Sequence, residues 1–284
     1  MSDANAIGFE FIQALSDELS KGQVKLPAFP EVAMRIKGAL EDPDMSTQQI
    51  AKLVVSDPVF SARLLKVANS PLFRARNKIE NIQIAITRMG NRVVRNLIMS
   101  ITVEQMFKAR SQVMAERFKK AWEHSIHVAA FSRVLAISSP HLDPEQAMLA
   151  GLIHDIGVLP ILLEAEKHDY FIGNPRALDK IIDELHTDVG RLIVEHWDFP
   201  ESLTEVVWEH ENLFRDPQAE ADYSDIVLVA NLQTPSRENH KNNQEDWSLI
   251  PAFKKLRLDH DVDVIEIEGV PEKIEEVEEI FITA

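Results

Sequence analysis

Apolar residues recur three and four positions apart through most of this chain, and that spacing restricts its fold more than any other feature. Val32, Ala33, Ile36 and Leu40 fall on one side of a helix that Pro30 would start. Ser46 and Gln49 stand at capping-box spacing ahead of Ile50, Leu53 and Val54. Asp57 reads as an N-cap with Pro58 in the first turn; Phe60, Leu64, Val67 and Ala68 follow, and Pro71 stops the run. Gly90 breaks the next apolar stretch in two, with Val94, Leu97, Ile98 and Ile101 lining one face of the second piece. Strict alternation occurs only in "DVDVIEIEG" at 261–269, a short candidate strand with nothing obvious to pair with. The closing "PEKIEEVEEIF" is an acidic amphipathic helix. The expected class is therefore all-α.

Composition sets the outer bounds. A chain of 284 residues holds one large domain or two ordinary ones, and a hydrophobic fraction of 45% with only 9 Gly argues against disorder. The absence of cysteine excludes disulfides and thiolate metal sites, and makes a cytoplasmic location the expectation. Any metal must then be held by His, Asp or Glu. The first residues, "MSDANAIGFEFIQALSDEL", carry acids where a signal peptide carries lysines. No uninterrupted apolar run reaches the roughly 18 residues of a membrane span, so no membrane partner is expected. The net charge of −16 divides into +6 over residues 1–120 and −22 over 121–284. A field of +6 over that length is weak, and solvated faces explain it better than nucleic acid. The polar stretch "TPSRENHKNNQEDWS" at 234–248 reads as a linker, and a seam is expected near 110–120 where charge and pattern change.

Polar groups interrupt the apolar pattern most sharply in "GLIHDIG", where His154 and Asp155 sit side by side between Gly151 and Gly157. Burying such a pair costs several kcal/mol, of order 2–7 per unpaired group, unless each finds a partner. Other histidines point the same way. His124 precedes Val128, Phe131 and Leu135; His186 precedes Val189 and Ile193; His210 follows Leu203, Val206 and Val207, all at helical offsets. His127 shares a face with Phe131 and Val134, so periodicity does not choose between it and His124. His141, His168, His240 and His260 read as surface, and His196 has no clear face. Imidazoles with a carboxylate make a mixed N/O site suited to Fe, Mn, Co, Ni or Zn, although a core imidazole bonded to a carbonyl fits each residue singly. Their spacing matches neither a zinc finger nor a His-Glu-x-x-His helix.

The order of motifs resembles the HDOD family. "LPAFPEVAMRIKGALEDPDMSTQQIAKLVVSDPVFSARLLKVANSPLF" and "IENIQIAITRMGNRVVRNLIMS" carry it in the first half, and "WEHSIHVA", "AGLIHDIGVL" and "HTDVGRLIVEHWDFPESL" in the second. The resemblance implies an N-terminal helical half, about 20–115, packed on an HD-like half, 116–232. Residues 1–19 would form a leading helix, and 233–284 a polar linker with an acidic C-terminal extension. It also implies a relation to HD-superfamily phosphohydrolases, whose ligands map onto His124, His154 and Asp155, with Asn231 where a final aspartate is expected. That assignment prefers His124 to His127. His186 and His210 resemble the additional ligands of HD-GYP cyclic-dinucleotide phosphodiesterases, but Glu209 stands where a first histidine would, and no Gly-Tyr-Pro follows.

Two functions follow from the resemblance. One is a non-catalytic bacterial signalling module that works through a protein partner and keeps a degenerate divalent-metal site. The other is a metal-dependent phosphohydrolase acting on a phosphoester. A third reading takes "ITRMGNRVVRNL" as a helix-turn-helix presenting Arg88, Arg92 and Arg95 to DNA; the overall acidity opposes it, and no nucleic-acid partner is expected.

Overall fold

Several helices begin where the sequence supplies a side-chain cap ahead of a buried stripe. The computed structural model describes residues 29–73, 78–107, 112–234, 246–259 and 270–282, and these contain helices and no strand. The candidate strand at 261–269 and the leading segment 1–19 lie outside the described residues. In the first half run α1 (Glu31–Glu41), α2 (Thr47–Val55), α3 (Pro58–Ala68), α4 (Ile82–Met89) and α5 (Asn91–Met106). Ser46 and Gln49 form the reciprocal capping box of α2, and the Asp57 carboxylate accepts from Val59 N and Phe60 N at the start of α3. Gly90 separates α4 from α5 at φ +82°, a conformation that favours glycine. Helix α5 was expected to bury one face. It is instead buried all round from Asn96 to Val103, because α1, α3, α4 and the second half enclose it.

The second half is built on the 26-residue helix α6 (Gln112–Ile137), which starts within the expected seam at 110–120 and runs unbroken from there. Helix α6 lies against α7 (Pro144–Ile153), with α8 (Val158–Ala165) following after a short turn. Then come α9 (Asp169–Gly173), α10 (Pro175–His196), α11 (Glu201–Glu209) and α12 (Tyr223–Leu232). By composition Pro144–Ala165 is apolar enough to cross a membrane, although polar residues such as His154 and Asp155 interrupt it. It is two helices joined by the His154–Gly157 turn, and 78% of its most apolar window is buried in the fold. Those helices are hydrophobic all round because protein surrounds them.

The C-terminal residues join the same body. α13 (Pro251–Leu256) packs on α12, and α14 (Val270–Ile282) lies on α6 through Val270, Ile274, Val277 and Phe281. The acidic helix is thus docked, with Phe281 edge-on to Trp122 at 6.0 Å between ring centres. Both described ends of the expected linker are anchored: the Thr234 hydroxyl donates to Ala230 O at 2.7 Å, and Trp247 stacks on Phe253.

Specific contacts join the two halves. Lys37 of α1 is buried and donates to the carbonyl of Asp198 at 2.9 Å, past the end of α10. Arg92 of α5 reaches Asp143, the N-cap of α7, at 2.6 Å. Arg88 donates to Phe73 O, and Arg95 meets Glu41. The three arginines of the helix-turn-helix reading are therefore engaged within the protein.

Candidate metal centre

The glycines of "GLIHDIG" explain how the site is assembled. A Cβ on Gly151 would lie 2.8 Å from Ala129 Cα and Val128 O, so α7 meets α6 backbone to backbone there. A Cβ on Gly157 would lie 1.9 Å from His186 O and 2.6 Å from Gly190 N, so the turn after α7 touches α10 equally closely. Gly190 in turn leaves room for Val207 of α11, whose Cγ1 would be 2.6 Å from an added Cβ. Three close approaches thus gather α6, α10 and α11 around one turn. Their histidines arrive with them: His124 on α6, His186 on α10, and His210 capping α11.

Five side chains converge. His124 Nε2 and His154 Nε2 are 3.2 Å apart and lie 3.6 and 3.3 Å from Asp155 Oδ2. His186 Nε2 and His210 Nε2 are 3.3 Å apart and lie 3.5 and 3.2 Å from Asp155 Oδ1. The cluster is therefore two triangles sharing one carboxylate, one triangle on each oxygen. His154, His186 and His210 are essentially buried, and the His124 side chain is 13% exposed.

Protons on the rings are set from behind. His154 Nδ1 faces Gly151 O at 2.7 Å, His186 Nδ1 faces Ile182 O at 2.7 Å, and His210 Nδ1 faces Val206 O and Val207 O at 3.2 and 3.1 Å. A carbonyl only accepts, so each Nδ1 carries hydrogen and each neutral ring turns its Nε2 lone pair inward. Lone pairs at such separations repel one another unless a cation lies between them. Asp155 Oδ1 is buried and accepts no well-directed hydrogen bond. Burial alone would push the Asp155 carboxyl up, but a second proton on the rings of His154, His210 or His186 turns each into a cationic donor, and in that form they hold it well below the usual range.

Spacing tests whether a metal fits. With metal–ligand bonds of about 2.0–2.2 Å, neighbouring ligand atoms are roughly 2.9–3.5 Å apart. The observed edges run from 3.2 to 3.6 Å, and either triangle makes one face of a coordination sphere. The donor set fits a divalent ion of the N/O type.

His127, which periodicity left level with His124, points elsewhere and pairs with Glu278 of α14. Asn231 is completely buried on α12, which packs against α6 and α7, and both its amide atoms lack a hydrogen-bond partner. It is not bonded to the cluster. Arg133 and Lys167, the cations nearest in sequence, are engaged with Glu145 and Glu164. One nearby residue was missed: Glu211 Oε1 lies 3.9 Å from His186 Nε2. The signal was present in Glu209-His210-Glu211, an acid placed just beyond a buried histidine.

Comparison with known proteins agrees with this architecture. The profile of the HDOD domain matches residues 26–213. A candidate metal-dependent phosphohydrolase from Shewanella amazonensis SB2B has a solved structure that superposes with a TM-score of 0.84 at 27% identity, covering 96% of this chain and 99% of that one. An HDOD domain protein of unknown function from Geobacter sulfurreducens shares the fold at a TM-score of 0.68 and 24% identity, covering 96% and 99%. An uncharacterized protein of Treponema pallidum (strain Nichols) is 26% identical over 225 residues, 73% of this chain and 42% of its own length. The chain thus spans less than half of that relative.

Proposed function

The chain belongs to the HDOD domain family, and we propose that it is a signal-transduction module that binds divalent metal at the His–Asp cluster and acts through a protein partner. The observation that carries the metal reading is the pair of ligand triangles on the two oxygens of Asp155, with three imidazoles oriented by backbone carbonyls. His124, His154 and Asp155 would hold one ion, with Asn231 as the remaining oxygen donor. Asp155, His186 and His210 would hold a second. Bound there, a divalent ion supplies Lewis acidity toward a phosphoryl oxygen. The chain's own residues support turnover less well. Asn231 gives a neutral carbonyl oxygen in place of a carboxylate, and Arg133 and Lys167 are already paired. Exposed Val55, Val59 and Ile84 on the N-terminal helices offer apolar surface for a protein contact.

The phosphohydrolase reading is favoured by one specific observation, the likeness over nearly its whole length to the candidate metal-dependent phosphohydrolase of Shewanella amazonensis. One set of measurements separates the two. Protein purified without chelator is analysed for metal, then assayed with Mn²⁺, Fe²⁺ or Mg²⁺ against a general phosphodiester and against cyclic di-GMP. The expected result is bound metal and no product. Product that disappears in His154→Ala would establish the enzyme instead.

A further inference from the structure

We propose that Glu211 is the fourth ligand of the triangle formed by Asp155, His186 and His210, so that this half is the tighter cation site of the chain. The inference rests on the metal-binding reading above and concerns which half of the cluster is stronger. In the notation of charge, both halves share the single negative charge of Asp155. The half at His124 and His154 would be completed by Asn231, a neutral amide. The other half has a carboxylate within reach, since Glu211 Oε1 lies 3.9 Å from His186 Nε2.

That distance satisfies the upper bound for one edge only: Glu211 lies outside the group of ligand atoms that are all within 4.8 Å of one another, so a rotation of its side chain completes the approach. Two atoms bound to one ion at about 2.1 Å each cannot be more than about 4.2 Å apart. The edges already present on this face are 3.3, 3.5 and 3.2 Å. Glu211 directly follows the buried His210, and its side chain is 37% exposed beside imidazoles that are almost fully enclosed. It therefore stands at the solvent rim of the face, where a fourth ligand would close the sphere. The unsatisfied Asp155 Oδ1 belongs to this same triangle. An extra carboxylate strengthens a divalent site through its charge and its oxygen donor, as ligand charge count tunes other cation sites.

The test is a Co²⁺ titration of chelator-treated, dialysed protein, read by calorimetry and by visible absorption. Wild type, Glu211→Gln, Glu211→Asp and His124→Ala are compared, with thermal melts to confirm that each variant folds. Glu211→Gln should weaken the tightest binding event about tenfold or more and change its absorption, while Glu211→Asp recovers part of the loss. His124→Ala should remove only a weaker event. Wild-type affinity in Glu211→Gln, together with loss of the tightest event in His124→Ala, would overturn the proposal and leave the metal reading intact. Absence of Co²⁺ binding in the wild type would remove both.

Discussion

Two buried or half-buried polar residues carry opposite lessons about partners. Asn231 is buried with both amide atoms unpartnered, a condition that costs roughly 1–3 kcal/mol per unsatisfied group. Asn231→Asp should add the charge that the His124/His154 half lacks, and metal and carboxylate should stabilise each other. We expect tighter Mn²⁺ or Ni²⁺ binding in calorimetry and a larger metal-induced rise in melting temperature, with slight destabilisation when metal is absent. Equal affinities would place residue 231 outside the site. His127 has found its partner: its hydrogen bond to Glu278 raises its pKa above 6.5 against the opposing effect of burial, with the Glu278 and Glu123 charges adding to the rise. A raised histidine pKa means that the charged form is favoured in the folded state. The pair's contribution is therefore full below pH 6.5 and fades as pH climbs through the raised value. With the side chain 40% exposed, screening limits it to about 1 kcal/mol or less. Melting curves should show wild type gaining on His127→Gln at pH 6 relative to pH 8.5; a gap independent of pH would refute the pairing.

Glycine placement governs how the elements meet. Gly157 is pressed between helices and Gly38 lies on an open helix surface, so they should respond oppositely to alanine. At Gly157 the new methyl would press on the backbone of α10, so Gly157→Ala should destabilise by about 3 kcal/mol or more and push His186 away from Asp155. Gly38 lies exposed inside α1 with nothing within 4 Å of an added Cβ. Gly38→Ala should stabilise by roughly 0.5–1 kcal/mol through helix propensity. Urea denaturation of both variants checks the contrast, and Co²⁺ binding by Gly157→Ala checks whether the cluster moves with α10. A Gly157→Ala protein with unchanged stability would show that the α10 contact is not as close as described.

At the level of the molecule, ties across the halves bear on how the chain unfolds. Lys37 to Asp198, Arg92 to Asp143 and the contact of α5 with α7 join them, and Phe29 meets Trp197 edge-on at 5.0 Å. All four tryptophans, Trp122, Trp197, Trp208 and Trp247, lie beyond residue 120, so fluorescence reports the second half while far-UV dichroism reports both. We expect coincident transitions by the two probes, the mark of one cooperative unit. Separate midpoints would mean that the halves are independent domains.

The local chemistry of the chain was enough to place its helices. Capping at Ser46 and Asp57, the break at Gly90 and the terminal acidic stripe each depend on neighbours within a few residues, and each lies where expected. Helical phase also brought His186 and His210 to buried faces. Phase could not separate His124 from His127, because both faces of α6 are covered, one by α7 and the other by α14. The resemblance to a family chose His124, and the structure places it in the cluster. The apolar stretch from Pro144 to Ala165 became a core layer only because α6, α10 and α12 surround it. The role of Gly157 and the approach of Glu211 to His186 were invisible for the same reason: each joins residues distant in sequence, and only the packing of whole helices sets such distances.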